Sequence, residues 1–297
     1  MPAHRSGFVA LVGRPNVGKS TLLNRLVGQK VAIVSSKAQT TRHRIRGVHT
    51  GEGYQLVLVD TPGVHKPLHL LGEQLVKSAV DTLAEVDLVL FLVDGRSTAG
   101  RGDRYVADLL LKAGRPVILV ANKVESGKMP PEILETYRDL VPALSEHVIS
   151  ALYGKGVASL LADVAGRLPE GPPLFPDEDV TDQTERQLAG ELVREAVLRL
   201  TSEEVPHSVA VLVDEFREPE TPADKTFIKA TLYVERDSQK GILIGDKGIK
   251  LRELGSTARR SIEKALDRQV YLELWVKVMP GWRKQARHLK QLGYITE

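Results

Sequence analysis

The sequence contains no cysteine, and its longest run of consecutive apolar residues, 88–93, has only six members. Without cysteine the chain can form no disulfide, zinc–thiolate site or thiol nucleophile, which fits a reducing, cytosolic setting. A membrane-spanning helix needs roughly 18 or more apolar residues, so none is expected. The first residues, MPAHRSG, lack the apolar stretch of a signal peptide, so none is expected there either.

The remaining composition is that of an ordinary globular protein. Hydrophobic residues make up 42% and charged residues 27%, which excludes wholesale disorder. At roughly 100–200 residues per domain, 297 residues predict two domains. The net charge of +3 is unevenly distributed, with −11 over residues 170–224 and +9 over residues 225–296. The basic part indicates either an anionic partner or an uneven solvated face, and charge alone does not decide between them.

Residues 7–168 alternate short apolar runs with amphipathic stretches. Near-continuous Val, Leu and Ile favours strands of a parallel sheet buried on both faces, and the alternation predicts a doubly wound α/β domain. The predicted strands are 8–12, 55–59, 88–93, 117–120 and 147–149. The predicted helices are 20–27, 73–83, 103–113, 131–140 and 157–168.

The pattern changes after residues 169–183, which hold four prolines and five acidic residues and predict an interdomain linker. The remainder of the chain has the order α-β-β-α-β-α and predicts a small α+β domain. Its predicted helices are 185–200, 249–266 and 282–292, and its predicted strands are 208–215, 226–235 and 270–278. We therefore expect domains at 1–170 and 184–297, joined by an acidic, proline-rich linker at 171–183.

Residues 13–20, GRPNVGKS, match the phosphate-loop pattern G-x-x-x-x-G-K-[ST] in full, between a predicted strand and a predicted helix. The glycines let backbone N–H groups turn toward phosphate oxygens, and the helix presents its positive N-terminal end to them. The lysine supplies charge to the β- and γ-phosphates, and the serine hydroxyl can bind magnesium. The motif does not separate GTP from ATP. The residues expected at the nucleotide are Gly13, Arg14, Pro15, Asn16, Val17, Gly18, Lys19, Ser20 and Thr21.

Two later loops indicate which base is bound. Asn122, Lys123 and Glu125 come after a predicted strand and resemble the N-K-x-D motif of GTPases, whose carboxylate accepts hydrogen bonds from guanine N1–H and the 2-amino group. Asn122 would orient the loop and the Lys123 stem would pack on the ring. Glu125 stands where that motif has aspartate and is one methylene longer, so we expect guanine selectivity with an altered affinity. The second loop, Ser150, Ala151 and Leu152, resembles the S-A-[KL] loop, whose backbone N–H meets guanine O6.

The segments between these loops resemble the two switches of GTPases. Asp60, Thr61, Pro62 and Gly63 match D-x-x-G, in which the carboxylate holds magnesium through water and the glycine N–H senses the γ-phosphate. Residues 39–42, QTTR, resemble the first switch. Thr41 is favoured as the residue that closes on magnesium, with Thr40 as the alternative. The predicted magnesium ligands are Ser20, Thr41 and Asp60.

The catalytic apparatus is less complete than in Ras-like enzymes. Val64 comes directly after the D-x-x-G glycine, whereas Ras-like enzymes have a glutamine nearby that orients water. Some GTPases without that glutamine use a potassium ion held partly by an asparagine of the phosphate loop, and Asn16 stands at the matching place. The sequence leaves open whether potassium is used. No arginine is identifiable as a finger in cis, so slow intrinsic turnover is expected. The candidate catalytic residues are Asn16, Lys19, Thr41 and Gly63.

Residues 244–251, IGDKGIKL, carry the pattern I-G-x-x-G-x-x-[IL] after two predicted strands and before a third. This arrangement resembles a KH domain of the bacterial (type II) form. In such domains the loop lets the backbone pass close to phosphates, and the groove beside it clamps about four nucleotides of single strand. Nearby cations add salt-dependent attraction. The predicted RNA contacts are Ile244, Gly245, Asp246, Lys247, Gly248, Lys250, Arg252 and Arg259.

Motif order and domain layout together resemble the Era family of bacterial GTPases over nearly the whole chain. The resemblance implies a P-loop GTPase domain with a mixed, mostly parallel sheet, a type II KH domain, and the ligands GTP, GDP and Mg²⁺. It also implies that a monomeric, cytoplasmic protein binds single-stranded RNA at the 16S rRNA 3′ end, assists maturation of the 30S subunit and loosely contacts the inner face of the membrane. Two alternatives stay open. One is a membrane- or protein-trafficking GTPase whose C-terminal domain binds protein, and the other is an RNA-modifying factor, for which residues 184–297 offer no catalytic motif.

Overall fold

The structure, a computed structural model, describes residues 4–37, 40–64, 67, 69–221 and 224–295. The chain forms two compact units. The first comprises the described residues within Met1–Ala32, Gln39–Leu68 and Gly72–Asp182, and the second those within Ile33–Ala38, His69–Leu71 and Gln183–Glu297. Among the described residues, no helix combines the length and the apolar character that crossing a membrane requires.

The first unit is built on a six-stranded sheet with the order β2-β3-β1-β4-β5-β6. All neighbouring strands are parallel except β2, which pairs with β3 antiparallel, so the predicted mixed, mostly parallel sheet is confirmed. The strands are β1 (Arg5–Val12), β2 (Ile45–Gly51), β3 (Tyr54–Asp60), β4 (Leu88–Asp94), β5 (Val117–Asn122) and β6 (Ser145–Val148). Strand β2 was not predicted, because this edge strand, IRGVHTG, has no continuous apolar run.

Helices cover both faces of this sheet. The five helices are α1 (Lys19–Val27), α2 (Leu70–Glu85), α3 (Arg101–Ala113), α4 (Pro131–Arg138) and α5 (Val157–Arg167). On β1, Val9 and Leu11 join the core beneath α1 and α5, whereas Ala10 and Val12 join the core beneath α2, α3 and α4. Strands buried on both faces explain the near-continuous apolar runs in the sequence.

Most of the predicted linker 171–183 lies along the β2 and β3 edge of the first unit. Fully buried Gln55 accepts hydrogen bonds from the N–H groups of Leu174 (2.7 Å) and Phe175 (2.8 Å) and donates to the Phe175 carbonyl (2.9 Å). Further along, the Val48 N–H donates to the Val180 carbonyl at 2.9 Å. The proline-rich stretch is therefore held by backbone hydrogen bonds rather than extended into solvent, while the domain boundaries predicted at 170 and 184 stay a prediction.

The second unit has a three-stranded sheet of order β7-β8-β9, in which β7 and β8 are antiparallel and β8 and β9 are parallel. Its elements are α6 (Glu185–Leu200), α7 (Val205–Ser208), β7 (Ala210–Arg217), β8 (Thr226–Val234), α8 (Asp237–Ile244), α9 (Ile249–Leu266), β9 (Val270–Val278) and α10 (Ala286–Gln291). Helices α6, α8 and α9 pack on one face of the sheet around a single core.

Three elements of the second unit differ from the sequence prediction. The short helix α7 and the helix α8 were not among the predicted elements. The predicted helix 282–292 is wrong as one helix, because a 3₁₀ turn at Trp282–Lys284 is separated from α10 by Gln285, whose φ of −116° and ψ of 117° are extended. Trp282 is fully buried and its indole N–H donates to the Ser208 carbonyl at 2.8 Å, which holds the turn in place.

Asp163 on α5 holds the edge strand β6, which leads into the loop at 150–152. It accepts hydrogen bonds from Ser145 Oγ (2.5 Å), His147 Nε2 (2.9 Å) and Arg167 Nε (2.7 Å). Burial alone would raise the pKa of Asp163, but these three donors lower it to about 2. A carboxyl whose pKa is lower in the folded state than in the unfolded state stabilises the fold. For Asp163 this contribution is complete at pH values above the unfolded-state pKa of about 4, and it is lost as the pH falls toward 2.

We therefore expect Asp163→Asn to lower the free energy of unfolding by about 1–2 kcal/mol at pH 7, with a smaller difference at pH 3. Urea denaturation at the two pH values measures both. Asp108→Asn, at an exposed position on α3, is the control and should change stability little. Equal midpoints for Asp163→Asn and the parent at pH 7 would show that the cluster does not stabilise the unit.

Candidate nucleotide-binding site and nucleic-acid interface

The phosphate loop lies between β1 and α1 and is shaped by one glycine conformation. Gly18 has a φ of 102°, and a Cβ there would lie 2.2 Å from Asn122 Nδ2, so no other residue fits. Helix α1 begins at Lys19 without a side-chain cap or an acidic residue in its first turn, so its first N–H groups are open to an anion.

Lys19 lies inside this loop. Only 6% of its surface is exposed, and its ammonium donates to the carbonyls of Gly13 (3.1 Å) and Arg14 (3.2 Å). Burial lowers the pKa of Lys19 to about 8, and Asp60 opposes this shift. A buried ammonium surrounded by backbone dipoles suits the binding of phosphate oxygens, whose charge offsets the cost of its burial.

Three oxygen-bearing side chains meet beside the loop. Asp60 Oδ2 accepts from Ser20 Oγ (2.7 Å) and Thr41 Oγ1 (3.0 Å), and the two hydroxyl oxygens are 3.0 Å apart. Asp60 Oδ1 is buried and accepts no hydrogen bond from the described residues. Burial raises the pKa of Asp60, against the effects of Lys19, Ser20 and Thr41. Hard oxygen donors around a carboxylate with an open oxygen fit magnesium. Thr41 joins this cluster, as the sequence favoured over Thr40.

The D-x-x-G segment is tied to the phosphate loop, and the residue directly after it is the apolar Val64. Thr61 Oγ1 donates to the Leu11 carbonyl (2.8 Å), and the Val64 N–H donates to the Gly13 carbonyl (3.3 Å). A Cβ on Gly63 would lie 2.9 Å from Pro15 Cα, so this backbone crosses directly over the loop. Val64 is buried. Gln39 of the first switch lies outside the described residues.

Arg14, the arginine of the phosphate loop, points toward α3. Its guanidinium pairs with Asp103, with Nε 3.1 Å from Oδ1, and the Asp103 side chain is almost fully buried. This pairing holds the Arg14 guanidinium against α3.

Asn122 joins the three loops expected around the nucleotide. Its Nδ2 donates to the Val17 carbonyl (2.8 Å), and its Oδ1 accepts from the Ala151 N–H (2.9 Å). The side chain is buried, whereas Glu125 and Leu152 are exposed at the rim. Lys123 has a φ of 68° and its ammonium pairs with Asp94 Oδ2 at 3.0 Å. The geometry places an acceptor, an amide and a lysine stem at one edge of the phosphate site.

Three further side chains support this base-binding edge, and the sequence analysis missed them. Asp94 is the last residue of β4 and pairs with Lys123. Burial raises the pKa of Asp94, but hydrogen bonds from Arg96 and Lys123 outweigh burial and hold that pKa well below its usual range. Arg25 on α1 donates to the Ala151 carbonyl (3.1 Å), and Lys155 donates to the Glu125 carbonyl (2.6 Å). Asp94 had a signal, since a charged residue at the carboxyl end of a parallel strand lies where ligands bind. Arg25 and Lys155 had none.

The predicted RNA-binding loop lies between α8 and α9. Gly245 has a φ of 69° and a ψ of 179°, a conformation essentially restricted to glycine, and a Cβ there would lie 2.6 Å from Lys250 Cβ. Asp246, Lys247 and Ile249 are exposed, and Ile244 is half-buried. Neither Lys247 nor Arg252 forms an ion pair within the described part of the chain. Lys250 pairs with Glu253 (3.0 Å) and Arg259 pairs with Glu263 (3.3 Å). Lys247 and Arg252 are therefore the cations most available to phosphate.

The predicted residues thus form two separate groups. The nucleotide and magnesium residues all lie in the first unit, at and beyond the carboxyl ends of β1, β3, β5 and β6, where open α/β sheets bind ligands. The predicted RNA residues all lie in the second unit, at the end of α8, on the loop that follows it and on α9.

Comparisons with known proteins agree with this arrangement. Residues 8–123 match a family model described as a 50S ribosome-binding GTPase, and residues 204–283 match a KH domain model. The chain is similar to Era crystallised with MgGDPNP and nucleotides 1506–1542 of 16S ribosomal RNA, with 39% identity, a TM-score of 0.93, and coverage of 99% of this chain and 100% of that one. It is similar also to an Aquifex aeolicus Era variant bound to GDP.AlF4-, with 39% identity, a TM-score of 0.92, and coverage of 98% and 100%.

Proposed function

Since this chain belongs to the Era family of GTPases, we propose that it is a GTP-hydrolysing switch protein that binds single-stranded RNA near the 3′ end of 16S rRNA and assists assembly of the 30S ribosomal subunit. One observation carries the proposal: a cluster of residues that suits a guanine nucleotide with magnesium and an exposed G-x-x-G loop occur in one chain. The relative with 39% identity over its full length was crystallised with both kinds of ligand.

The first unit binds and hydrolyses GTP. Lys19 and the N–H groups of the loop neutralise the phosphates, while Asn122, Lys123 and Glu125 hold guanine. Ser20, Thr41 and Asp60 would hold magnesium, which supplies further positive charge at the phosphates. Val64 is buried where Ras-like enzymes have a glutamine nearby, and Arg14 is paired with Asp103, so neither side chain is placed to assist the attacking water or the phosphates. We therefore expect slow intrinsic turnover, and Asn16, exposed with a φ of 66°, supports potassium near the phosphates as a further part of the proposal.

The second unit binds RNA at the G-x-x-G loop. Because Gly245 lacks a side chain and Lys247 is exposed, phosphates can approach the backbone closely while the lysine neutralises them. The switches have two arrangements, and GTP can change the affinity for RNA only if it binds one arrangement more tightly than the other. Protein release after hydrolysis completes the cycle.

The same proposal includes a cytoplasmic, monomeric protein with loose contact at the inner face of the cell membrane. Three exposed basic residues support such a contact with anionic lipid: Lys284, Arg287 and Lys290. The fourth cation of this stretch, Arg283, is largely buried and pairs with Glu235 at 2.5 Å.

The test is the affinity for short single-stranded RNA of the 16S 3′ end, measured with GDP and with a GTP analogue over a range of salt. We expect tighter binding with the analogue. Lys247→Asp should weaken binding and reduce the slope of log affinity against log salt by about 1–2, because a phosphate contact is replaced by repulsion.

Lys112→Asp is the matched control, since this lysine is exposed on α3 in the other unit, and it should leave RNA affinity unchanged. Equal RNA affinity with GDP and with the GTP analogue would contradict the proposal that GTP controls RNA binding. No binding in either state would contradict the RNA function and favour the trafficking alternative, in which the second unit binds protein.

A further inference from the structure

The sheet of the second unit has one face covered by helices and one face without them. On β8, Ile228, Ala230, Leu232 and Val234 belong to the helix-covered core. The alternate residues therefore lie on the opposite face, together with their neighbours on β9. We call this surface the open sheet face, and its central residues are Phe227, Lys229, Thr231, Tyr233, Tyr271, Glu273, Trp275 and Lys277.

Four of the chain's fourteen aromatic residues lie on the open sheet face: Phe227, Tyr233, Tyr271 and Trp275. Tyr233 and its neighbour Thr231 are buried, so the exposed aromatic rings of this face are those on β9. Tyr271 is 58% and Trp275 52% exposed, although large apolar side chains are ordinarily buried. The only other tryptophan, Trp282, is fully buried. Of the two tryptophans, only the one on the open sheet face is therefore accessible to a ligand.

A groove of about 570 Å³ runs beside Trp275, within the range of roughly 300–1,000 Å³ that small-ligand sites occupy. It is lined by Asp214, Glu215, Lys229, Thr231, Trp275 and Lys277. The Lys229 ammonium lies over the Trp275 ring, 5.8 Å from its centre. Nucleobases stack on exposed aromatic rings that have cations nearby, and here a base would use the ring face that Lys229 does not cover.

Two carboxylates at the groove, Glu215 and Glu273, have cationic partners, whereas Lys277 and Asp214 form no ion pair within the described part of the chain. Glu215 pairs with Arg217 (2.8 Å), and Glu273 accepts from the Trp275 indole N–H and lies 3.8 Å from Lys229. Lys277 is exposed. Asp214 is exposed, and one of its oxygens accepts from Thr231 at 2.7 Å. The groove thus offers one uncompensated cation for a phosphate and one carboxylate oxygen for an N–H donor.

We propose that this groove binds one unstacked base of single-stranded RNA together with its phosphate, as a second RNA contact beyond the G-x-x-G loop. The base stacks on Trp275, its phosphate meets Lys277, and an exocyclic amino group donates to Asp214. The inference rests on the proposed function. The G-x-x-G groove accounts for only about four nucleotides, whereas the relative was crystallised with nucleotides 1506–1542, so further RNA is available to a second contact.

Tryptophan emission tests the proposal directly, because Trp275 is exposed and Trp282 is not. We expect an RNA of 16S nucleotides 1506–1542 to quench the emission and to protect it from iodide, and a four-nucleotide RNA that fills only the G-x-x-G groove to do neither. Trp275→Phe should abolish the response while retaining most of the affinity. Trp275→Ala should weaken binding of the long RNA by about 5- to 100-fold, since stacking on one aromatic ring is lost.

Lys277→Glu should also weaken binding of the long RNA, whereas Arg199→Glu, at an exposed position on α6 behind the sheet, should not. GTP turnover should be the same in every variant, because the nucleotide site lies in the first unit. A thermal unfolding midpoint and a far-ultraviolet circular dichroism spectrum near those of the parent show that each variant remains folded. If the parent binds the long RNA while its emission stays constant and Trp275→Ala binds equally well, the proposal is overturned and the face is left to a protein partner. In that case Lys247→Asp still tests the proposed function separately. If the parent binds no RNA, both fail.

Discussion

Replacing Lys19 by alanine is expected to lower GTP turnover by about 10²–10³-fold, the size of effect that results from the loss of one electrostatic group aimed at reacting charge. The physical reason is burial. The ammonium is 6% exposed and donates to the carbonyls of Gly13 and Arg14, so it both shapes the loop and places a charge where the phosphates lie. Phosphate release at saturating GTP measures the loss.

Lys112→Ala is the control for this experiment, because that lysine is exposed on α3 and should leave turnover unchanged. A thermal unfolding midpoint near that of the parent would show that Lys19→Ala is folded. Turnover within about threefold of the parent would mean that the phosphates are not neutralised by this loop.

The second large effect concerns the base. Guanine presents two donors, N1–H and the 2-amino group, and the Glu125 carboxylate can accept both. The amide of Glu125→Gln has one acceptor and one donor, so it suits xanthine, whose C2 carries an oxygen. We expect guanine nucleotide affinity to fall by about 10²–10⁴-fold, since two hydrogen bonds to a charged group are each worth about 1.5–3 kcal/mol. Xanthosine nucleotides should bind the variant better than the parent, which competition against a fluorescent nucleotide measures.

Two variants control this result. Glu125→Asp restores the residue usual in N-K-x-D and should keep guanine selectivity. Glu132→Gln removes a charge from an exposed position on α4 and should change nothing. The Lys155 ammonium bonds the Glu125 backbone carbonyl rather than its side chain, so the loop should hold its place in the variant. Unchanged preference for guanine in Glu125→Gln would mean that another group reads the base.

Local sequence determined much of this protein. The phosphate loop, the D-x-x-G segment and the G-x-x-G loop could be recognised from residue type and spacing alone. Each is a short segment in which one turn brings the functional groups together. The buried strands β1, β3, β4 and β5 are equally local, since each is a continuous apolar run bounded by polar residues. The weak edge strand β2 and the helix α8 lack such a signal, and both were missed.

The tertiary structure decided the rest, because it depends on contacts between residues distant in the chain. Asn122 joins Val17, 105 residues earlier, to Ala151, and no spacing rule connects those three positions. Thr41 was one of two candidates until Asp60 and Ser20 were found beside it. In the strand VYLELWVKV, alternation places Trp275 on the same face as Glu273 and Lys277, which indicates the more polar face. The groove beside Trp275 is not encoded in that strand, because the pairing of β7, β8 and β9 brings Asp214 and Lys229 to it.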